Sequence, residues 1–384
     1  MKKLLNTLYV TIPEAYLSLD GENVVVFKEK QEFGRIPLHN IERIMMFGYL
    51  GASPALMGKC VEYGIELVFM SAYGKFLARV EGNINGNVLL RREQFRIADD
   101  KNRSLEIARN MIIGKVYNCR QVILRVLRDH ELRVDQDVFR KKADFLQKTL
   151  QKCRDVKDID SLRGLEGECA SVYFSVFDDM ILQQKEEFCF TTRSRRPPLD
   201  NVNALLSFCY SLCTSMCSSA LEAVGLDPYV GFMHTDRPGR RSLALDLVEE
   251  FRAWFCDRFV LMLINKRVVN SDHFEKREDG AVVLNEKGRK EVLGAWQKRK
   301  NEVIRHPFLG EKVEWGMLPY AQALLLARYI RDDLDTYPVF MWKLENVSIN
   351  NIRCKYGDCG RKSQITESCQ AMCELRHAGS EFCF

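Results

Sequence analysis

The spacing of hydrophobic and polar positions changes period once along the chain, near residue 96. Before that point, residues 4–12 alternate loosely, and residues 15–28 carry a strand-like stretch on each side of Asp20-Gly21, a hairpin signal. Residues 53–63 read as a short helix ahead of a strand at 65–70, and Tyr73-Gly74-Lys75 turns into a second strand at 76–80. The Gly- and Asn-rich segment 82–87 punctuates the end of this region. After Arg96, apolar residues recur at three- and four-residue intervals with charges between them. That period predicts helices over 102–129, 135–154, 160–184, 202–224, 241–264, 286–305 and 315–333. The expected fold class is therefore α+β, with a small β-rich domain over 1–90 and a larger all-helical domain over 96–343. Residues 191–198 interrupt the helical pattern with three arginines and two prolines, and read as a mobile basic loop.

With 384 residues, 46% hydrophobic and 28% charged, the chain can bury a sizeable core. Its longest apolar runs, such as 259–264, fall far short of the ~20 residues needed to cross a bilayer, and its first residues turn polar too early for a signal peptide. No membrane association and a cytoplasmic location are expected. The 14 cysteines lack the spacing of a disulfide framework and read as reduced thiols. Lys plus Arg exceeds Asp plus Glu by 57 − 52 = 5, a mild excess, so any nucleic-acid surface must come from clustering.

Two places could carry chemistry. On a helix, Cys169, Ala170, Tyr173, Phe177 and Met180 form one apolar stripe with Glu166 near its centre. A carboxylate there is costly to bury without a cation or metal. From this helix alone, an ion pair with a buried Arg or Lys is the plainer reading. Farther on, Ser242 offers an N-cap to a helix on which Asp246 and Glu249 lie one turn apart, with Glu250 on the same flank. His234, on the preceding loop, could swing over them as a third ligand. One imidazole with carboxylate oxygens suits Mg²⁺ or Mn²⁺ better than Zn²⁺. Taken alone, an acidic solvated flank and a structural histidine account for the same residues.

Three longer strings, LRGLEGECASVYF, RSRRPPLDNVNALLSFCYSLC and GLDPYVGFMHTDRPGRRSLALDLVEEFR, occur in that order, and YPVFMWK follows at 337–343. Together they resemble the CRISPR-associated adaptation integrases, the Cas-one family, in its subtype I-C branch, over essentially residues 1–343. The resemblance implies a β-rich N-terminal domain, a helical catalytic domain, homodimerisation, a small partner protein (Cas-two), and metal-dependent joining of DNA during spacer acquisition. It places the family's catalytic metal-binding residues on Glu166, His234 and Glu249, with Asp246 a further acidic residue beside the site. The implied reaction joins a DNA 3′-hydroxyl to a phosphodiester at the edge of a CRISPR repeat, with Mg²⁺ or Mn²⁺ stabilising the charge that develops. No covalent protein intermediate is needed, and water in place of the hydroxyl would make the site a nuclease. A branched-DNA nuclease and a non-catalytic DNA-binding scaffold are the alternatives.

Phosphate contacts on double-stranded DNA would fall to Arg193, Arg195 and Arg196 in the basic loop and to Arg237, Arg240 and Arg241 near His234, with Lys298, Arg299 and Lys300 as a further group. Asn203 reads as a brace for its helix. Residues 344–384 lose the helical period and gain cysteines whose spacing matches no zinc pattern. Back-translated from Asn346 and read one base later, they give a string opening MLVLITYDV, which resembles the start of Cas-two. The tail is thus expected to be a disordered, out-of-frame reading of the partner's gene.

Overall fold

The computed structural model describes residues 7–12, 14–71, 76–82 and 88–342. The tail 344–384, the turn 73–75 and most of the punctuating segment 82–87 lie outside the described residues. Seven strands come first: β1 (Thr7–Val10), β2 (Ala15–Asp20), β3 (Asn23–Lys28), β4 (Gln31–Pro37), β5 (Arg43–Phe47), β6 (Glu66–Met70) and β7 (Phe76–Arg79). Strands β2, β3 and β4 form an antiparallel meander whose first turn is the Asp20-Gly21 hairpin, with Gly21 at φ +57°. The second sheet runs β1-β5-β6-β7, parallel from β1 to β6 and antiparallel at β7. Strand β5 is central in it, and Ile44, Met45, Met46 and Phe47 are all buried. A strand covered on both faces shows an unbroken apolar run, which is why alternation did not reveal it.

Helix α1 (Pro54–Tyr63) opens on Ser53, whose hydroxyl accepts from the Leu56 amide at 3.2 Å, and closes on Gly64 at φ +65°. Its Leu56 and Cys60 pack with Leu17, Val24, Ile44 and Leu67 into the core of the strand-rich region.

The helical part contains α2 (Val88–Asp99), α3 (Lys101–Asp129), α4 (Gln136–Asp155), α5 (Ile159–Phe174), α6 (Asn201–Ala223), α7 (Ser242–Glu249), α8 (Arg258–Asn265), α9 (Glu286–Lys300) and α10 (Leu318–Ile330). The architecture is α+β as expected. The helical part also carries two short antiparallel ribbons: β8 (Phe274–Lys276) with β9 (Val282–Leu284), and β10 (Val303–Arg305) with β11 (Lys312–Glu314). Helix α6 is long and apolar enough to cross a membrane by composition, but it is the core helix and most of it is buried. All nine described cysteines are free, eight of them buried.

Three expected helices differ in extent. The one predicted to reach residue 184 stops at Phe174, so Phe177 and Met180 pack from a following turn rather than from the Glu166 stripe. The one predicted to run on past residue 300 gives way to β10. The helix expected over 241–264 is interrupted by a π-helical turn, Arg252–Asp257, directly after the acidic residues. Such insertions are frequent at functional sites. It buries Ala253, Trp254, Phe255, Cys256 and Asp257 in succession, which a regular helix face would not do.

Candidate functional site

Glu166 on α5 and Glu249 at the end of α7 meet at the ammonium of Lys115, which extends from α3. Lys115 Nζ contacts Glu166 Oε1 and lies 2.7 Å from Glu249 Oε2. Burial acts against the lysine's charge, yet the two carboxylates outweigh it and hold the group above the ordinary lysine range. Burial likewise opposes the Glu249 carboxylate. The charges of Arg252, Lys115 and His234 prevail and bring it down to about 2. Arg252, in the π-helical turn, reaches Glu249 Oε1 at 3.0 Å and lies over the Tyr210 ring. The glutamates are unequal in access, since the Glu249 side chain is 4% exposed and that of Glu166 24%. The site therefore opens on the Glu166 side.

His234 approaches from the loop before α7, which Asp246 shapes. Asp246 is fully buried, and its Oδ2 accepts from the amides of Phe232 (2.7 Å) and Met233 (3.0 Å). Its Oδ1 accepts from the His234 amide at 3.0 Å and faces the ring Nδ1 at 2.5 Å. With the proton on Nδ1 donated to Asp246, Nε2 presents its lone pair away from the carboxylate. The loop must pass tightly over α7: a Cβ on Gly231 would come within 2.7 Å of Ser242 Cβ and 2.9 Å of Asp246 Oδ2. Ser242 is not the N-cap that the sequence suggested. Its hydroxyl donates to Thr235 O at 3.2 Å, holding the same loop. A groove of 830 Å³ reaches His234 from the α2–α3 side, lined by Lys101, Lys157, Arg163 and Phe232 among others.

Among the described residues, no three His, Cys, Asp or Glu groups converge closely enough to ligate one ion in this arrangement. The donor set nevertheless fits a cation. Two carboxylates from different helices already share a positive group, and Glu249 Oε2 is buried at ion-pair distance from Lys115 without an aligned hydrogen bond. Asp246 is different, because its oxygens are taken up by the loop amides and the His234 ring.

Glu250 turns away from this cluster. It accepts from Gln322 Nε2 (2.7 Å), the Phe340 amide (2.8 Å) and the Tyr337 hydroxyl. Burial outweighs those bonds and raises its carboxyl to about 7. Asn118, one turn beyond Lys115, donates to the carbonyls of Glu250 and Phe340 and accepts from the Trp342 amide, each at 2.9 Å. The segment 337–342 is thereby strapped against the helices that carry the site. It runs so close to α3 that a Cβ on Gly114 would sit 2.3 Å from Val339 Cγ2.

The structure regroups the expected DNA-facing residues. Arg193 is a brace, donating to Asn203 Oδ1 (2.7 Å) and Ser207 Oγ (3.1 Å) under cover of the Tyr210 ring. Asn203 in turn accepts from the Ser194 amide and donates to Thr192 O, as its expected bracing role requires. Further bonds from Leu199 N to Ser194 Oγ and from Val282 N to Pro198 O pin the loop that had been expected to be mobile. Arg195 and Arg196 are exposed on it. Arg240 is pulled down from the usual arginine range, first by partial burial and then by the charges of Arg237, Arg163 and Arg196, partly offset by Asp246. These arginines thus form one cationic region beside His234, and Arg241 covers Tyr229 at its edge. The group Lys298, Arg299 and Lys300 does not hold together. Lys300 is buried and donates to Thr7 Oγ1 at 2.9 Å, and burial pushes it down to about 7.

Lys115 was missed in the sequence, although the signal was there. On α3 it shares the buried stripe of Met111, Ile112, Cys119 and Val122, a cation on an apolar face just as Glu166 is an anion on one.

The comparisons with known proteins agree on one family. The model of "CRISPR associated protein Cas1" matches residues 8–298. A "CRISPR-associated endonuclease Cas1 1" from Chlorobaculum tepidum is 47% identical over 343 residues, covering 89% of this chain and all of the relative. Among solved structures, a casposase bound to its integration product superposes with a TM-score of 0.76 at 23% identity, covering 90% of this chain and 97% of that one. A Cas6-RT-Cas1–Cas2 complex gives 0.75 at 22% identity, covering 90% of this chain and 37% of that one. At such identity these two likenesses are of fold. With a family model matching most of the chain and a relative at 47% identity, the protein belongs to the Cas1 family of CRISPR-associated proteins.

Proposed function

We propose that the protein is a metal-dependent DNA endonuclease and integrase of CRISPR spacer acquisition, joining the 3′-hydroxyl ends of short duplexes to the edge of a CRISPR repeat. One observation carries this reading: Glu166 and Glu249 meet from separate helices at a single cation position, close to a histidine whose Nδ1 is held by Asp246. The endonuclease name of the 47% identical relative supports the reaction class. In this reading Glu166, Glu249 and His234 Nε2 hold Mg²⁺ or Mn²⁺. Bound there, a hard divalent ion neutralises charge on the attacking and leaving oxygens of a phosphodiester exchange.

The chain's own residues supply positioning. Asp246 fixes the His234 tautomer, so Nε2 serves either as a ligand or as the acceptor of the hydroxyl proton. Arg195, Arg196, Arg237, Arg240 and Arg241 hold phosphates of double-stranded DNA without reading sequence. Arg193 contributes by bracing the loop.

The proposal extends to assembly. The strand-rich region over 1–90 serves as the dimerisation domain and 96–343 as the catalytic one. Phe33, Tyr49, Leu50 and Leu89 are large apolar side chains left more than half exposed in and next to that region, which suits a homodimer surface. The Cas6-RT-Cas1–Cas2 complex among the fold neighbours supports Cas2 as partner. The DNA being joined places the work in the cytoplasm.

A repeat-containing plasmid incubated with short duplexes and Mg²⁺ tests the reaction. Joined products are expected, and cleavage without joining would instead indicate a branched-DNA nuclease. Glu166→Ala should fold and join nothing; full integration by that variant overturns the assignment. A monomer at micromolar concentration by light scattering would contradict the dimer.

A further inference from the structure

Away from the glutamates, the end of α3, the start of α8 and the last turn of α9 bring several guanidinium groups onto a column of indoles. Arg258 lies over the Trp254 ring at 3.9 Å, and Arg125 reaches the same ring at 5.8 Å. Trp254 stacks on Trp342 at 4.7 Å, Trp342 stacks on Trp315 at 5.5 Å, and Arg299 lies over Trp315 at 4.5 Å. Lys115 and Arg125 are ten residues apart on one helix, roughly 15 Å along its axis. The arginine end of the column is therefore set apart from the glutamates.

The charges on it do not cancel. Arg125 pairs with Asp129 at 3.1 Å, Arg128 with the same carboxylate at 2.8 Å, and Arg299 with Glu302. Among the described residues Arg258 makes no carboxylate ion pair, so there four guanidiniums face two carboxylates. Burial pushes Arg258 down to about 9, and the neighbouring charges of Arg125 and Arg299 push further than Asp129 and Glu302 resist. A fold that holds like charges together on an apolar backing favours an external anion. A guanidinium stacked on an indole leaves its N–H edges free to bond in its own plane, the geometry that matches phosphate in two parallel bonds. The patch is reachable from solvent, with the Arg125 side chain 36% exposed.

We propose that Arg258 and Arg125, on the Trp254 face, form a second phosphate-binding site that grips the DNA backbone away from the reacting ends. The inference rests on the reading of the chain as a DNA-joining enzyme. It adds that the bound duplex is held at two separated places, the cationic region beside His234 and this indole-backed one. A planar cation in the second place favours Arg over Lys, because only the guanidinium stacks and forks at once.

The test is a titration of full-length protein with a fluorescent blunt duplex across a range of NaCl concentrations. The double variant Arg258→Gln with Arg125→Gln should bind about tenfold more weakly near 100 mM salt, and its log–log salt slope should fall by about 2. Its thermal midpoint should hold or rise, since two mutually repelling cations are gone. A fall in midpoint with unchanged affinity would mark the arginines as packing elements only and overturn the site. Arg125→Gln alone, changed at a solvent-reached side chain, gives a reading that does not depend on the buried stack, and its slope should fall by about 1. Unchanged affinity and slope in both variants overturn the inference while leaving the proposed reaction standing. So does a double variant that keeps its DNA affinity but no longer co-purifies with an acidic protein. A wild-type protein that binds duplex and loses affinity on these substitutions, yet joins no ends, supports this site and contradicts the proposed function.

Discussion

Lys115 Nζ lies 2.7 Å from Glu249 Oε2 and also touches Glu166, so one side chain of α3 ties together the acidic residues of α5 and α7. A cation position is thus built into the fold. Replacing Lys115 by Met leaves two carboxylates around a largely buried space, and stability should fall by ~3 kcal/mol or more. Mg²⁺ or Mn²⁺ should restore much of that loss, and should raise the variant's Tm more than the wild type's, where the ammonium must first move. Melting curves with and without metal read both effects. A variant whose Tm ignores the metal would refute the idea that the lysine stands where the ion belongs.

Asp246→Asn removes the negative partner of the His234 ring and, because both Asp246 oxygens accept from loop amides, also turns one amide N–H₂ toward an N–H donor. Strand joining should fall by about 10- to 100-fold, the usual cost of losing such an orienting carboxylate, and stability should fall by about 1–3 kcal/mol for the loop amide left without its acceptor. Single-turnover assays at saturating DNA measure it. Joining at the wild-type rate would mean that the His234 tautomer is irrelevant.

Glu250 carries a pH dependence of defined sign. Its carboxyl is raised from 4.5 to about 7 in the folded protein. Between those values the folded state keeps a proton that the unfolded chain releases, so stability falls as pH rises through this window and levels off above it. The span corresponds to ~3 kcal/mol. Asp257, raised by burial to about 6, adds a contribution of the same sign at lower pH. Glu250→Gln removes the titrating carboxyl and keeps a carbonyl to accept from Gln322 and Phe340, while the bond to Tyr337 reverses, the new amide donating to the hydroxyl. Denaturant midpoints from pH 5 to 8 should therefore slope downward for wild type and less for the variant. Equal slopes would remove Glu250 from the account.

Ending the chain after Lys343 should leave strand joining within about twofold and the Tm unchanged, as expected if the remaining residues are an out-of-frame reading of a neighbouring gene. The coding DNA decides the origin, because an early stop codon in the one-base-shifted frame sinks that proposal. Loss of activity on truncation would restore the tail as a working element.

The candidate site was legible where a polar residue broke an apolar pattern. Glu166 stood out for that reason, and Asp246 and Glu249 stood out by their one-turn spacing. Lys115 was hidden by numbers, since α3 carries many basic residues and only its place on the buried stripe distinguishes it. Strand β5 escaped because burial on both faces erases alternation, and β4 because it is largely exposed and has little apolar pattern to read. The π-helical turn was invisible for another reason. A single extra residue in a helix shifts its phase without changing composition, and only the run of consecutive buried positions, Ala253–Asp257, betrays it. The roles within the acidic trio were equally out of reach, because the choice between ligating an ion and holding a histidine depends on which way the loop before α7 folds back.

The strap at 337–342 bears on how the protein is made. Phe340 is fully buried, Trp342 stacks on Trp254, and Asn118 bonds to the backbone of Phe340 and Trp342. Ribosomes deliver the chain from the N-terminus, and regions generally fold as they emerge. The strand-rich region can settle early, but the helices around Lys115 and Glu249 lack a wall of their core until residue 342 has left the exit tunnel. A nascent chain halted short of that point would hold every acidic residue of the site and still have no finished place to put them.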